Sequence, residues 1–109
     1  MAVTLLVNDP VRLGERYRFT VRLANMGGSL ISLDPCPHYR VQMMKLVETG
    51  FLNCAAAPGA IPAHRHVDFA MEIATRSVPY GPSADLLWQL GGEGTEGATA
   101  TTWVPIAAS

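Results

Sequence analysis

The sequence predicts an all-β domain built as two antiparallel sheets packed face to face. Apolar and polar residues alternate with period two through most of the chain, the pattern of strands buried on one side only. Clusters of asparagine, glycine and proline interrupt that alternation at short intervals, as turns between strands require. No stretch carries a sustained 3.6-residue period, and LVETG and SADLLWQL are the only places where a helical turn would fit.

VTLLV gives the first strand, and GERYRFTVRLAN gives the clearest one. There Tyr17, Phe19, Val21 and Leu23 share the inward face, while Arg16, Arg18, Thr20 and Arg22 share the outward face. NMGG at 25–28 tolerates the positive φ angles of a hairpin turn, so SLISLD is expected to pair back with Ile31 and Leu33 inward. HYRVQMMKLV sets Tyr39, Val41 and Met43 against Arg40, Gln42 and Met44, and ETG then turns the chain into a short strand beginning at FLNC. After AAAPGAIPA, HRHVDFAMEIA places Val67, Phe69, Met71 and Ile73 inward and His64, His66, Asp68 and Glu72 outward. VPYGPS is a loop, and ADLLWQL and ATATTWVPI form a hairpin across the glycine-rich GGEGTEG. Pro105 suits an edge strand or a strand end because it cannot donate to a ladder.

Seven to eight short strands in about 100 residues indicate an immunoglobulin-like Greek-key β-sandwich. An eight-stranded barrel is the competitor, but the inward residues Tyr17, Phe19, Phe69 and Trp88 are large and leave no ligand-sized cavity. A chain of 109 residues is enough for one core, so residues 1–109 are read as a single domain.

With 8 basic and 9 acidic residues the formal net charge is -1, which gives no field to hold a nucleic-acid backbone or an anionic membrane. Apolar runs are short and broken by Pro, Gly or charge, so neither a membrane-spanning helix nor a signal-peptide core is expected. The opening MAVTLLV fits a trimmed mature domain as well as a cytoplasmic or virion protein. GxSxG, HExxH, P-loop and dinucleotide fingerprints are absent, and no enzymatic activity is expected.

FTVRLAN, LDPCPHY, LNC, IPAHRHVDFAM and GPSADLLW together cover about two thirds of the chain. Their order resembles a bacterial immunoglobulin-like domain of secreted and cell-envelope actinobacterial proteins. That pattern runs "ytVtLtN", "LdPCPgY", "LNC", "iPpG", "vtFeM" and "GpatLtW". A looser similarity exists to the proteinase-inhibitor family of bacilli, in the "vtN" strand and the proline-glycine turn before a long strand. His38 stands where the pattern has glycine, and AHRH replaces a glycine-serine turn. The resemblance implies a non-enzymatic binding or structural module, extracellular or in the cell envelope, that docks another protein of unknown identity. The looser likeness implies inhibition through an exposed loop such as VPYGPS, which carries Tyr80.

In such a domain Cys36 and Cys54, two cysteines each beside a predicted strand, read as a disulfide. A loop of this size contributes about 3 kcal/mol in the chain-entropy model. The alternative, a Cys36 thiolate activated by His38, lacks an orienting carboxylate and an oxyanion loop. A further alternative is a copper or zinc site. His64 and His66 at strand spacing would sit about 6.6 to 6.8 Å apart on one face, while Asp68 lies about 13 Å from His64. The third ligand would then come from His38, Met26, Met43 or Met44, and imidazole with thioether favours copper.

Arg12, Arg16, Arg18 and Arg22 read as a solvated basic stripe, or as a dock for an acidic partner. Trp88 reads as core, and Trp103, out of phase with Val104 and Ile106, as an exposed interface residue.

Overall fold

In a computed structural model, strand pairing follows the alternation and sorts the chain into two main sheets. The structure describes residues 1–33, 36–52, 59–78, 81–91 and 98–107. Nine strands run through them: β1 (Ala2–Leu6), β2 (Tyr17–Ala24), β3 (Ile31–Ser32), β4 (His38–Met43), β5 (Leu46–Phe51), β6 (Ala60–Ile61), β7 (His66–Ile73), β8 (Ser83–Leu90) and β9 (Thr99–Pro105). One sheet has the order β1-β2-β7 and the other β5-β4-β8-β9, with β3 and β6 forming a small separate pair. All pairings between these strands are antiparallel, and the chain crosses between the main sheets after β2, β5 and β7, a Greek-key sandwich.

The inward face of each strand supplies one apolar layer. Tyr17, Phe19, Val21 and Leu23 from β2 and Phe69, Met71 and Ile73 from β7 are buried, opposite Val41, Met43, Leu86, Trp88, Leu90 and Val104. Trp88 has no exposed surface and stacks on Tyr39 at a centroid distance of 5.9 Å. Gly50, opposite Tyr39 on β5, makes that stacking possible, since a Cβ there would lie 2.9 Å from the Tyr39 hydroxyl. The Trp88 Nε1–H is buried without an acceptor among the described residues. Its desolvation costs about 1–3 kcal/mol, which the burial of the ring, about 3–5 kcal/mol on truncation, exceeds.

Three expectations need correction. NMGG does not close a hairpin, for β3 pairs with β6 and not with β2. The cause is Asn25, the one buried polar side chain among the described residues. Its Nδ2 donates to the Ser29 and Ile61 carbonyls at 2.6 and 2.9 Å, and its Oδ1 accepts from the Gly27 N–H at 3.0 Å. The Asn25 N–H also donates to the Arg65 carbonyl, so this residue ties the chain leaving β2 to the segment that enters β7. A second correction concerns HYRVQMMKLV, which is two strands. Met44 and Lys45 adopt φ of 52° and 65°, the mirror-image turn of a two-residue hairpin. Met44 is buried and not outward, and its carbonyl accepts from Arg76 Nε at 2.7 Å. ETG, expected as a turn, lies within β5. Finally, β3 lies within SLISLD as expected, whereas β6 falls in AAAPGAIPA, where no strand was expected.

The GGEGTEG connection falls mostly outside the described residues, and the strands it joins do pair. Val11, between β1 and β2, is fully buried and bridges Ile106 in parallel. The Tyr17 hydroxyl donates to the Asp9 carbonyl at 2.7 Å and pins that crossover at its β2 end.

Asn25→Ala leaves two carbonyls and one N–H without their partner and is expected to cost about 2–4 kcal/mol in chemical denaturation. Lys45→Gly relieves a left-handed residue and is expected to stabilise by up to about 1 kcal/mol. Met44→Gly relieves the same strain but loses a buried side chain, so its denaturation midpoint is expected to fall by about 2–4 kcal/mol equivalent.

Candidate docking face

The two sheets present outer faces of opposite character. On β2 and β7 the outward residues pair as charges: Arg18 lies across from Glu72 and Arg22 from Asp68. Arg22 grips Asp68 with two bonds, Nε to Oδ1 at 2.9 Å and Nη2 to Oδ2 at 3.1 Å. Arg16 donates to Glu72 at 2.6 Å and reaches over to Glu48 of β5 at 2.8 Å. Arg18 lies 3.7 Å from Glu72. The basic stripe is therefore neutralised by carboxylates of the same surface, which weakens the case for Arg16, Arg18 and Arg22 as a dock for an acidic partner. Each exposed pair adds about 0–1 kcal/mol.

Glu48 does more than pair. It occupies an inward position on the edge strand β5, opposite Val41, and its Oε2 accepts from the Ala74 N–H at 2.8 Å. One carboxylate thus joins β5 to the end of β7 and to Arg16, closing one side of the sandwich. The hydrogen bond from Arg16, reinforced by the Ala74 N–H, holds its carboxyl below the usual range despite partial burial. Arg22 does the same for Asp68.

The outer face of β5-β4-β8-β9 is less charged and more apolar. Register aligns Val47, Gln42, Leu87 and Thr101 in one row across the four strands, and Asp85 with Trp103 in the next. Trp103 and Phe51 are 70% and 73% exposed, a large apolar area for side chains on one sheet face. Gln42, Asp85, Leu87, Thr101 and Trp103 border a shallow hollow of about 410 Å³. Trp103 stands exposed as its phase implied. Val47, Leu87 and Phe51 were not foreseen, because the phase of β5 depends on the Met44–Lys45 turn and LLW offers no alternation to read.

The histidines are spread over different elements. His38 lies on the outer face of β4, where its ring meets Phe51 edge-on at 6.2 Å and occupies the space a Cβ on Gly91 would take. His66 opens β7 on the opposite outer face, across from Ala24. His64 precedes that strand in a turn with φ 60°, so strand spacing does not apply to the pair. Among the described residues no group of three His, Cys, Asp or Glu side chains could hold a metal ion. Cys36 is not a free thiol, and its Sγ lies 2.8 Å from the Leu52 carbonyl oxygen. Cys54 and Tyr80 fall outside the described residues.

No family model matches the chain, and no curated protein matches it. Solved structures do match in fold. Red sea bream transglutaminase superposes with a TM-score of 0.70 at 11% identity, over 100% of this chain and 15% of that one. The chain thus spans a small part of that enzyme's length. A CARDB domain from Pyrococcus furiosus, solved by NMR, gives 0.62 at 15% identity over 96% of this chain and 92% of that one. A crystal structure of that domain in complex with di-metal ions gives 0.57 at 12% identity, over 96% and 87%. The chain is an immunoglobulin-like β-sandwich. These neighbours support neither the actinobacterial envelope likeness nor the inhibitor likeness.

Acid titration tests the Glu48 clamp. Because its folded pKa is depressed, its stabilisation is present above the ordinary value of 4.5 and is lost as pH falls through the folded value. The melting temperature is expected to drop on that acid limb, and Glu48→Gln is expected to be less stable at neutral pH with a flatter limb.

Proposed function

We propose that this chain is a non-enzymatic immunoglobulin-like binding module that docks another protein through the outer face of β5-β4-β8-β9. The observation that supports it most is the exposed Trp103 beside Leu87 and the hollow they share with Asp85, Gln42 and Thr101. Aromatic side chains of this kind anchor interfaces, and the polar residues around one supply orientation. The other outer face offers paired charges, which a partner would have to separate. We place the module outside the cytoplasm, secreted or displayed on an envelope or assembly. A Cys36–Cys54 disulfide is part of this reading, supported by a Cys36 that is not a free thiol and by Leu52, whose N–H donates to the Pro37 carbonyl at 3.0 Å. Copper or zinc binding by His64, His66 and His38 has less support, since His38 and His66 lie on opposite outer faces.

Retention of a partner from the native source by three immobilised forms tests the docking face. Wild type and Arg22→Ser are expected to hold the same protein, and Trp103→Ser to lose it while its melting temperature stays unchanged. Equal retention by Trp103→Ser, or loss with Arg22→Ser, overturns the assignment.

A further inference from the structure

We propose that β9 is a self-pairing edge through which two copies of this chain join into one continuous eight-stranded sheet. The inference starts from hydrogen-bond parity. Leu90 N–H donates to the Ala98 carbonyl and Ile106 N–H to the Pro82 carbonyl, so the even-numbered residues of this stretch point their backbone groups at β8. Odd-numbered residues point the other way, as the C-terminal end of the stretch confirms. There the Pro105 carbonyl accepts from Val11 N–H at 2.8 Å, and Ala107 N–H donates to the Val11 carbonyl at 2.7 Å. Upstream of that bridge, among the described residues, nothing pairs with the outward N–H and C=O groups of Thr99, Thr101 and Trp103.

Natural edges are blunted by charge, proline or an inward-pointing ionised side chain. β5 carries an inward charge, Glu48, held by Arg16, and β7 carries Asp68 and Glu72. From Thr99 to Val104, β9 reads TATTWV, with no charge, glycine or proline. Such a segment is a template for another strand. Pro105, without an N–H, marks where the open edge ends.

A second copy fits this edge better than a foreign strand because the segment matches itself. An antiparallel two-fold centred on Thr101 sets Thr101 against its own copy and Thr99 against the partner's Trp103. All three outward-facing residues then exchange both backbone groups, which makes six new hydrogen bonds. Their side chains share the outer face, so each Trp103 ring covers a threonine next to Gln89, which pairs with Thr99 across β8. Ala100 and Thr102, on the inner side, are small enough to meet without a clash. A formal charge of -1 per chain opposes the approach little. A contact of three residue pairs along one strand is small beside standard stable complexes, which bury roughly 800 Å² per partner, so the dimer forms at high concentration and dissociates on dilution. The inference rests on the strand's edge and not on the docking reading, although Thr101 and Trp103 belong to both surfaces.

Sedimentation velocity from micromolar to millimolar protein tests it, together with amide exchange over the same range. Wild type is expected to approach a doubled mass, with the amides of Thr99, Thr101 and Trp103 gaining protection as concentration rises. Thr101→Pro removes an outward N–H without touching the β8 ladder, and is expected to stay monomeric with an unchanged melting temperature. A wild type that remains monomeric at millimolar concentration overturns the proposal. So does a Thr101→Pro that associates as wild type does, or protection that grows on β1 or β5 and not on β9. If Thr101→Pro fails to fold, the exchange pattern of wild type alone decides.

Discussion

The burial of one apolar layer between two pleated sheets is the constraint on which the rest of this structure rests. Each strand can offer only one face, because successive side chains point to opposite sides. Once Trp88, Val41 and Met43 face Phe19, Val21 and Phe69, the outward set is fixed as well. Arg18 and Arg22 must then stand on one surface, and Trp103, Leu87 and Val47 on the other. Among the described residues the layer holds a buried indole N–H without an acceptor, so packing outweighs polar satisfaction at its centre.

Polar contacts work at the margins of that layer. Asn25 ties the exit of β2 to Ile61 and Arg65, Tyr17 pins the first crossover to Asp9, and Glu48 joins β5 to Arg16 and Ala74. Asn25 lies where the chain leaves one sheet for the other, Tyr17 holds the connection between β1 and β2, and Glu48 stands within the edge strand β5. The clamps are also uneven. On the β5 and β7 side a charge network closes the sandwich, whereas on the opposite side β9 lies close to β1 and is tied at its end by the Val11 bridge. The molecule therefore has a charged, self-satisfied face and a second face that exposes Trp103 and Phe51 beside an edge whose outward backbone groups, upstream of that bridge, make no hydrogen bond among the described residues. The proposed docking function rests on that physical asymmetry.

Much of this was legible in the sequence. The phases of β2 and β7 and the exposure of Trp103 follow from alternation, a local property that tertiary contacts did not override, and Trp88 is buried as its size implied. Other features left no signal. The Met44–Lys45 turn contains neither glycine, asparagine nor aspartate, and it holds because Met44 is drawn into the core and its carbonyl is capped by Arg76, 32 positions on. Without that turn the phase of β5 cannot be read, and Val47 and Phe51 stay hidden as members of the outer face of β5-β4-β8-β9. NMGG carries hairpin chemistry, yet the asparagine spends its side chain on a distant strand.

By itself, then, the sequence determined the all-β class, the inward and outward sets of the long strands, and the absence of a recognisable catalytic motif, since these depend on residues a few positions apart. The tertiary structure decided which strands are neighbours, that the arginines of β2 meet their carboxylates, that the histidines stand on different elements, and that Thr99, Thr101 and Trp103 turn their backbone groups to an open edge. Those outcomes depend on contacts between residues tens of positions apart, where no local pattern specifies the partner.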